Sequence, residues 1–85
     1  MSQSWYVYIL RCADDTLYTG ITTDVGRRLA EHNGDGPLGA RYTRTRRPVE
    51  LAYSEQTDDR ASAARREAAI KRLPRQHKLA LIDNA

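Results

Sequence analysis

A chain of 85 residues supports one hydrophobic core, because at this length folding buries only roughly 60% of the surface the unfolded chain exposes. No apolar run approaches the ~20 residues that cross a bilayer, and the N-terminal "MSQSW" lacks the basic-then-apolar order of a secretion signal. One cysteine rules out an internal disulfide and, with two histidines, a multi-ligand zinc centre, so a single domain over 1–85, ordered from about 5 to 80 and working in the cytoplasm, is expected.

Residues 5–12, "WYVYILRC", alternate Trp5, Val7 and Ile9 with Tyr6, Tyr8, Leu10 and Cys12, so a strand buried on both faces is expected, with Cys12 a plain buried thiol. "ADDT" turns the chain, and Asp15 can take the left-handed conformation such turns need. A second strand over 17–22 sets Tyr18, Gly20 and Thr22 on one side and Leu17, Thr19 and Ile21 on the other. Opposed residues of an antiparallel pair share a face and keep a constant number sum, so Tyr8 and Tyr18 face the same way only if that sum is even. A two-residue loop at Asp14 and Asp15 makes it odd; a three- or five-residue connection, or a bulge, is therefore expected. Gly20 leaves a bare spot on the tyrosine face, which either admits a ligand backbone or marks a bulge.

"DVGRRLAEHN" reads as a helix capped by Asp24 and stopped at Asn33-Gly34. Val25 and Leu29 define its apolar stripe, Arg28 and His32 continue that arc, and Arg27 and Glu31 turn to solvent. Arg28 and His32 are neighbours at i, i+4, placed where a helix meets its sheet and a free charge is expensive. "GDGPLGA" over 34–40 reads as an irregular loop leading into "RYTRTRR". "PVELAYSE" over 48–55 is a third strand, with Pro48 at its harmless first position. Residues 58–73 form the longest helix, capped by Thr57 or Asp58, and Pro74 opens a last one through "RQHKLALID". On the long helix Ala63, Ile70 and Leu73 make the apolar stripe, and Glu67, at i+4 from Ala63 and i−3 from Ile70, is the one acid aimed at the sheet. An ion pair with Lys71 is its competing role.

The element order is thus β-β-α-β-α-α. Arginine supplies twelve of the fourteen cations; four lie within 41–47, and 60–78 holds seven cations against Glu67 alone. Guanidinium forks match phosphate geometry, so this bias points to a polyanionic partner, against the plainer alternative of a solvated basic surface.

Two tyrosines on one sheet face, an arginine and a histidine on a nearby helix and one inward glutamate fit phosphodiester hydrolysis. That reaction needs a base to deprotonate water, a hard cation with oxygen ligands and positive charge for the crowded phosphorus. A phenol is a poor base unless a neighbouring cation lowers its pKa. "YVY" at 6–8, "YTG" at 18–20, Arg28 and His32 in "GRRLAEH" and Glu67 in "RREAAIK" also stand at the spacings of a known pattern. From about 5 to 80 the chain resembles the GIY-YIG nuclease superfamily, most closely its small stand-alone bacterial members.

The resemblance implies an α/β (α+β) domain with a three-stranded, mainly antiparallel sheet flanked by helices, and a one-metal hydrolytic nuclease. Glu67 would hold Mg²⁺ or Mn²⁺, Tyr8 would act as general base and Tyr18 would assist it. Arg28 would neutralise the scissile phosphate and His32 would orient a tyrosine hydroxyl or the water. Tyr6 departs from the pattern, standing where the first motif has glycine. Many relatives carry a separate DNA-binding domain that has no counterpart here, so weak sequence preference is expected. Arg41, Arg44, Arg46 and Arg47 would contact backbone phosphates and Tyr42 would stack on a base. The expected partner is DNA, or RNA, in a repair or recombination setting, with no membrane and no small-molecule cofactor, the protein being a monomer or a weak homodimer. The rival readings are a non-catalytic nucleic-acid binding module and an adaptor in a repair assembly.

Overall fold

The computed structural model describes residues 3–34, 36 and 38–84. Three strands, β1 (Trp5–Arg11), β2 (Leu17–Thr22) and β3 (Glu50–Thr57), form one sheet in the order β2-β1-β3, antiparallel throughout. Helix α1 (Val25–Asn33) follows the hairpin, α3 (Arg60–Lys71) and α4 (Arg75–Asp83) follow β3, and a four-residue helix α2 (Arg41–Arg44) precedes β3. The expected order is found, and α2 is an addition to it inside the arginine cluster. Among the described residues no helix is long and apolar enough to cross a membrane.

The hairpin obeys the parity argument. Tyr8 opposes Gly20 and Leu10 opposes Tyr18, an even register that leaves residues 12–16 as the connection. Cys12 N–H donates to Thr16 O at 2.9 Å and Asp15 N–H to Cys12 O at 2.9 Å, and Asp15 takes the left-handed conformation at φ 66°. Both tyrosines therefore lie on one face, as diagonal neighbours.

Strand β1 is buried on both sides because it is the middle strand and both its faces carry large side chains. On one face Val7 and Ile9 pack with Ala63 and Ile70 of α3 and with Leu81 and Ile82 of α4. On the other, Tyr8, Leu10 and Cys12 pack with Val49, Tyr18 and Leu29 of α1. The sheet is thus a wall between two small cores. The tyrosine face belongs to α1, and the face behind it to α3.

Element boundaries differ from expectation where side chains capture the backbone. Strand β3 starts at Glu50 rather than Pro48, because the Asn33 amide holds Val49, accepting from its N–H at 2.7 Å and donating to its carbonyl at 3.0 Å. It runs on to Thr57, whose hydroxyl donates to Trp5 O at 3.1 Å. Asp59, not Thr57 or Asp58, caps α3, accepting from Ser62 N–H at 2.7 Å, and the helix ends at Lys71 rather than at residue 73.

Candidate active site

Helix α1 delivers two of the site residues. Asp24 caps it through the Arg27 N–H at 3.0 Å, and Gly34 closes it on Glu31 O, which fixes the rotation that turns His32 inward and leaves Arg28 at the rim. His32 is only 1% exposed and is bonded at both ring nitrogens: Nε2 to Tyr8 Oη at 2.9 Å and Nδ1 to Thr43 Oγ1 at 2.8 Å. Tyr8 is 2% exposed and its hydroxyl lies over Gly20, where a Cβ would sit 2.5 Å from Oη. The bare spot at Gly20 therefore holds the Tyr8 phenol. It neither admits a ligand backbone nor marks a bulge, since the β1–β2 register has no shift.

Tyr18, half-buried, closes the aromatic cluster. Its ring centroid is 6.4 Å from that of Tyr8 and 5.2 Å from that of His32, and it stacks on Tyr42 at 5.8 Å with 28° between the planes. Tyr42 in turn lies under the Arg46 guanidinium, 4.0 Å from its ring centroid. Tyr42 is thus already engaged by two neighbours, and base stacking there competes with them.

Arg28 does not stand free. Its guanidinium donates to Glu31 Oε1 at 2.9 Å and to Leu38 O, and Glu31 also pairs with Arg27 at 3.6 Å. Glu31, expected to turn to solvent, instead faces the arginines. The i, i+3 spacing from Arg28 to Glu31 was the signal for that pair.

Burial dominates the electrostatics. The Tyr8 hydroxyl is pushed up to about 12, first by burial and then by Tyr18, with Arg28 opposing and Glu67 adding a smaller push. His32 is pushed down to about 4 by burial and then by the Arg28 charge, with Glu31 opposing. At neutral pH the pair is therefore an uncharged phenol against an uncharged imidazole. The lowering of Tyr8 by a neighbouring cation is present, through Arg28, but loses to burial.

The His32 shift carries a stability prediction. Its folded pKa lies below the unfolded value of 6.5, so the unfolded chain binds more protons between the two. Stability should be full above pH 6.5 and fall by on the order of 3 kcal/mol as pH drops towards 4. Urea unfolding followed across this window checks it. His32→Gln should flatten that part of the curve, and an equal slope in both proteins would assign the dependence elsewhere.

Glu67 reaches the site differently. It sits on α3 between fully buried Ala63 and Ile70, so its helix packs on the Val7 and Ile9 face, across the sheet from the phenols. Its carboxylate pairs with Lys71 Nζ at 3.5 Å, and no hydrogen bond or ion pair among the described residues joins it to Tyr8, Tyr18, Arg28 or His32. Its link to the cluster is through space, as one of the charges that raise Tyr8. Three of the five expected residues, Tyr8, Tyr18 and His32, thus converge by direct contact, Arg28 stands beside them as a charge felt by both Tyr8 and His32, and Glu67 is felt by Tyr8 alone.

Among the described residues no group of three His, Cys, Asp or Glu side chains could cage a metal. A lone half-buried carboxylate is nonetheless a hard oxygen donor of the kind that suits an ion which keeps most of its waters.

The arginine cluster divides. Arg46 is tied to Asp14 at 3.1 Å and to Tyr42 O at 2.8 Å, and Arg47 to Arg44 O at 3.0 Å and Gly34 O at 2.6 Å, so these two pin α2 to the hairpin and to the end of α1. Arg41 and Arg44 are exposed, and among the described residues their guanidinium groups have no hydrogen-bond or ion-pair partner. Thr43, fully buried between them, was not foreseen; nothing in "RYTR" marks it as facing His32.

The chain is similar to other proteins in sequence and in overall fold. UPF0213 protein DP2720 of Desulfotalea psychrophila is 56% identical over 79 residues, covering 93% of this chain and 71% of that protein. UPF0213 protein NP_0776A of Natronomonas pharaonis is 52% identical over 82 residues, covering 96% and 94%. The solution NMR structure of UPF0213 protein BH0048 from Bacillus halodurans superposes with a TM-score of 0.59 at 41% identity, covering 94% of this chain and 83% of that one. That of EF2693 from E. faecalis gives 0.64 at 42% identity, covering 98% and 86%. Residues 4–80 match the GIY-YIG catalytic domain, and on that match the chain belongs to the GIY-YIG family.

Proposed function

We propose that the protein is a divalent-metal-dependent phosphodiesterase that cleaves DNA with weak sequence preference, in a repair or recombination setting. The observation that carries this reading is the direct convergence of Tyr8, Tyr18 and His32 from two strands and a helix, anchored by the 2.9 Å Tyr8–His32 hydrogen bond and with the Arg28 charge beside it.

The division of labour follows from burial. Tyr18, the more accessible phenol, orients the attacking water. Tyr8 takes the water proton as its own passes to His32 Nε2, so neither phenolate nor hydroxide has to exist free in a buried site. The water oxygen bonds to phosphorus, the bond from phosphorus to the leaving oxygen breaks and that oxygen takes a proton from solvent, while the proton held on His32 returns through Tyr8 to solvent and resets the pair. Arg28 exchanges Glu31 for a phosphate oxygen. Glu67 would hold a divalent ion, which when bound supplies positive charge to the developing negative charge on phosphorus. Arg41 and Arg44, whose forks have no partner among the described residues, would hold flanking phosphates, contacts that position a strand without reading its bases.

A panel of labelled single-stranded, duplex and branched DNAs tests this. Cleavage is expected with Mg²⁺ or Mn²⁺ and none after chelation, while DNA binding persists in both conditions. Binding without cleavage of any substrate would reduce the protein to a nucleic-acid binding module.

A further inference from the structure

We infer that Thr43 is a positioning residue that fixes the tautomer of His32, so that Nε2 is held as the acceptor of the Tyr8 proton. The inference rests on the reaction proposed above for its purpose, but not for its geometry.

Three buried groups, Tyr8 Oη, the His32 ring and Thr43 Oγ1, stand in line, and the far end of the line is a backbone carbonyl, Ala40 O, 3.0 Å from Thr43 Oγ1. A carbonyl can only accept, so the threonine hydroxyl proton points to it. Thr43 Oγ1 then faces His32 with a lone pair, and the 2.8 Å contact is a bond only if Nδ1 carries the ring proton. Nε2 of the neutral ring is left bare, and the 2.9 Å contact is filled by the Tyr8 hydroxyl donating to it.

The opposite tautomer does worse. With the proton on Nε2, both the Thr43 hydroxyl and the Ala40 N–H, 3.5 Å away, would compete for one lone pair on Nδ1. The Thr43 bond to Ala40 O would be lost, and the Tyr8 hydroxyl proton would need another acceptor in a site where the phenol is 2% exposed. One arrangement satisfies the Tyr8, His32 and Thr43 donors at 2.8–3.0 Å and gives up only the long 3.5 Å contact from Ala40 N–H; the other leaves the Tyr8 hydroxyl proton without an acceptor in the line and sets Thr43 and Ala40 N–H against one lone pair. The direction of the chain is set by the backbone of residue 40, and Thr43 transmits it to the ring.

Two properties suit Thr43 to this task. It is 0% exposed, so no water competes for its hydroxyl, and it lies on α2, whose flanking Arg46 and Arg47 tie the short helix down. A serine could make the same bonds, whereas a valine of the same shape could make none.

The test reads the ring itself. The ¹⁵N shifts of the His32 imidazole, measured by NMR in the metal-free protein at pH 7, should show Nδ1 protonated and Nε2 bare. Thr43→Val should keep a folded spectrum yet mix or invert the two signals, and Thr43→Ser should restore them. If the protein cleaves DNA, Thr43→Val should lower kcat at least about tenfold with little change in KM, and Thr43→Ser should recover it. Finding the proton on Nε2 in the parent protein, or unchanged ring shifts in a folded Thr43→Val, would overturn the assignment. Absence of cleavage in every form would count against the proposed function while leaving the NMR result to decide on Thr43.

Discussion

Glu67→Gln is expected to lower metal-dependent cleavage by about a thousandfold or more while leaving DNA affinity nearly unchanged. The magnitude follows from the task assigned to the carboxylate. Holding a divalent ion against a phosphorus that gathers negative charge is worth several kcal/mol, and each 1.36 kcal/mol is tenfold in rate. Glutamine keeps the volume between Ala63 and Ile70 and removes the charge, so α3 should stay packed. Losing the exposed ion pair with Lys71 costs only about 0.2–0.5 kcal/mol, which melting curves can check. The variant also has a sign unrelated to metal: with one anion fewer nearby, the Tyr8 hydroxyl should become slightly more acidic. Because α3 packs on the far face of the sheet, a purely structural role for Glu67 is the serious competitor, and Lys71→Ala separates the two. A structural ion pair predicts that both variants lose the same activity, whereas a metal ligand predicts that only Glu67→Gln does. Full cleavage by Glu67→Gln would remove Glu67 from the chemistry.

The parts of the fold that were legible in the sequence are those in which a local rule has one outcome. The strand register is such a case. Two tyrosines ten residues apart, placed on one face, forced an even sum and excluded the tight turn, and Asp15 supplied the left-handed residue that the longer connection uses. The Asp24 cap and the Asn33-Gly34 stop set the helix that turns Arg28 and His32 to the sheet. Illegible were the contacts made by short polar side chains across long separations. The Thr43 hydroxyl meets a ring eleven residues earlier, and the Asn33 amide clamps Val49 and delays the third strand. Such bonds leave no periodicity, because one residue makes each of them. Gly20 was noticed for the right property and given the wrong occupant. A missing side chain on a sheet face says that something comes close, and here the visitor was already in the sequence as Tyr8, the residue paired with it.

That pairing makes Gly20→Ala the sharpest probe of the cluster. No glycine among the described residues has a positive φ, so alanine meets no backbone penalty at position 20 and its whole effect is steric. The new Cβ would lie 2.5 Å from Tyr8 Oη and 2.7 Å from Cζ, distances at which something must move. The phenol is the end of a rigid, buried ring wedged between His32 and Gly20, and it cannot swing aside without giving up the 2.9 Å bond to Nε2. The expected cost is about 1–3 kcal/mol of stability from overpacking. A displacement of the order of 1 Å at the proton-accepting oxygen should cost roughly a hundredfold in cleavage. Gly26→Ala is the matched control, since its Cβ would meet only Asp24 Oδ1 at an ordinary 3.7 Å and the substitution removes glycine from a helix, a gain of roughly 0.5–1 kcal/mol. Adding Tyr8→Phe to Gly20→Ala should recover part of the lost stability, because the Oη contact disappears while the Cζ contact stays. A Gly20→Ala protein that melts and cleaves like its parent would mean that the Tyr8 ring does not lie over β2, and the hydrogen bond to His32, on which both the proton transfer and the role of Thr43 depend, would go with it.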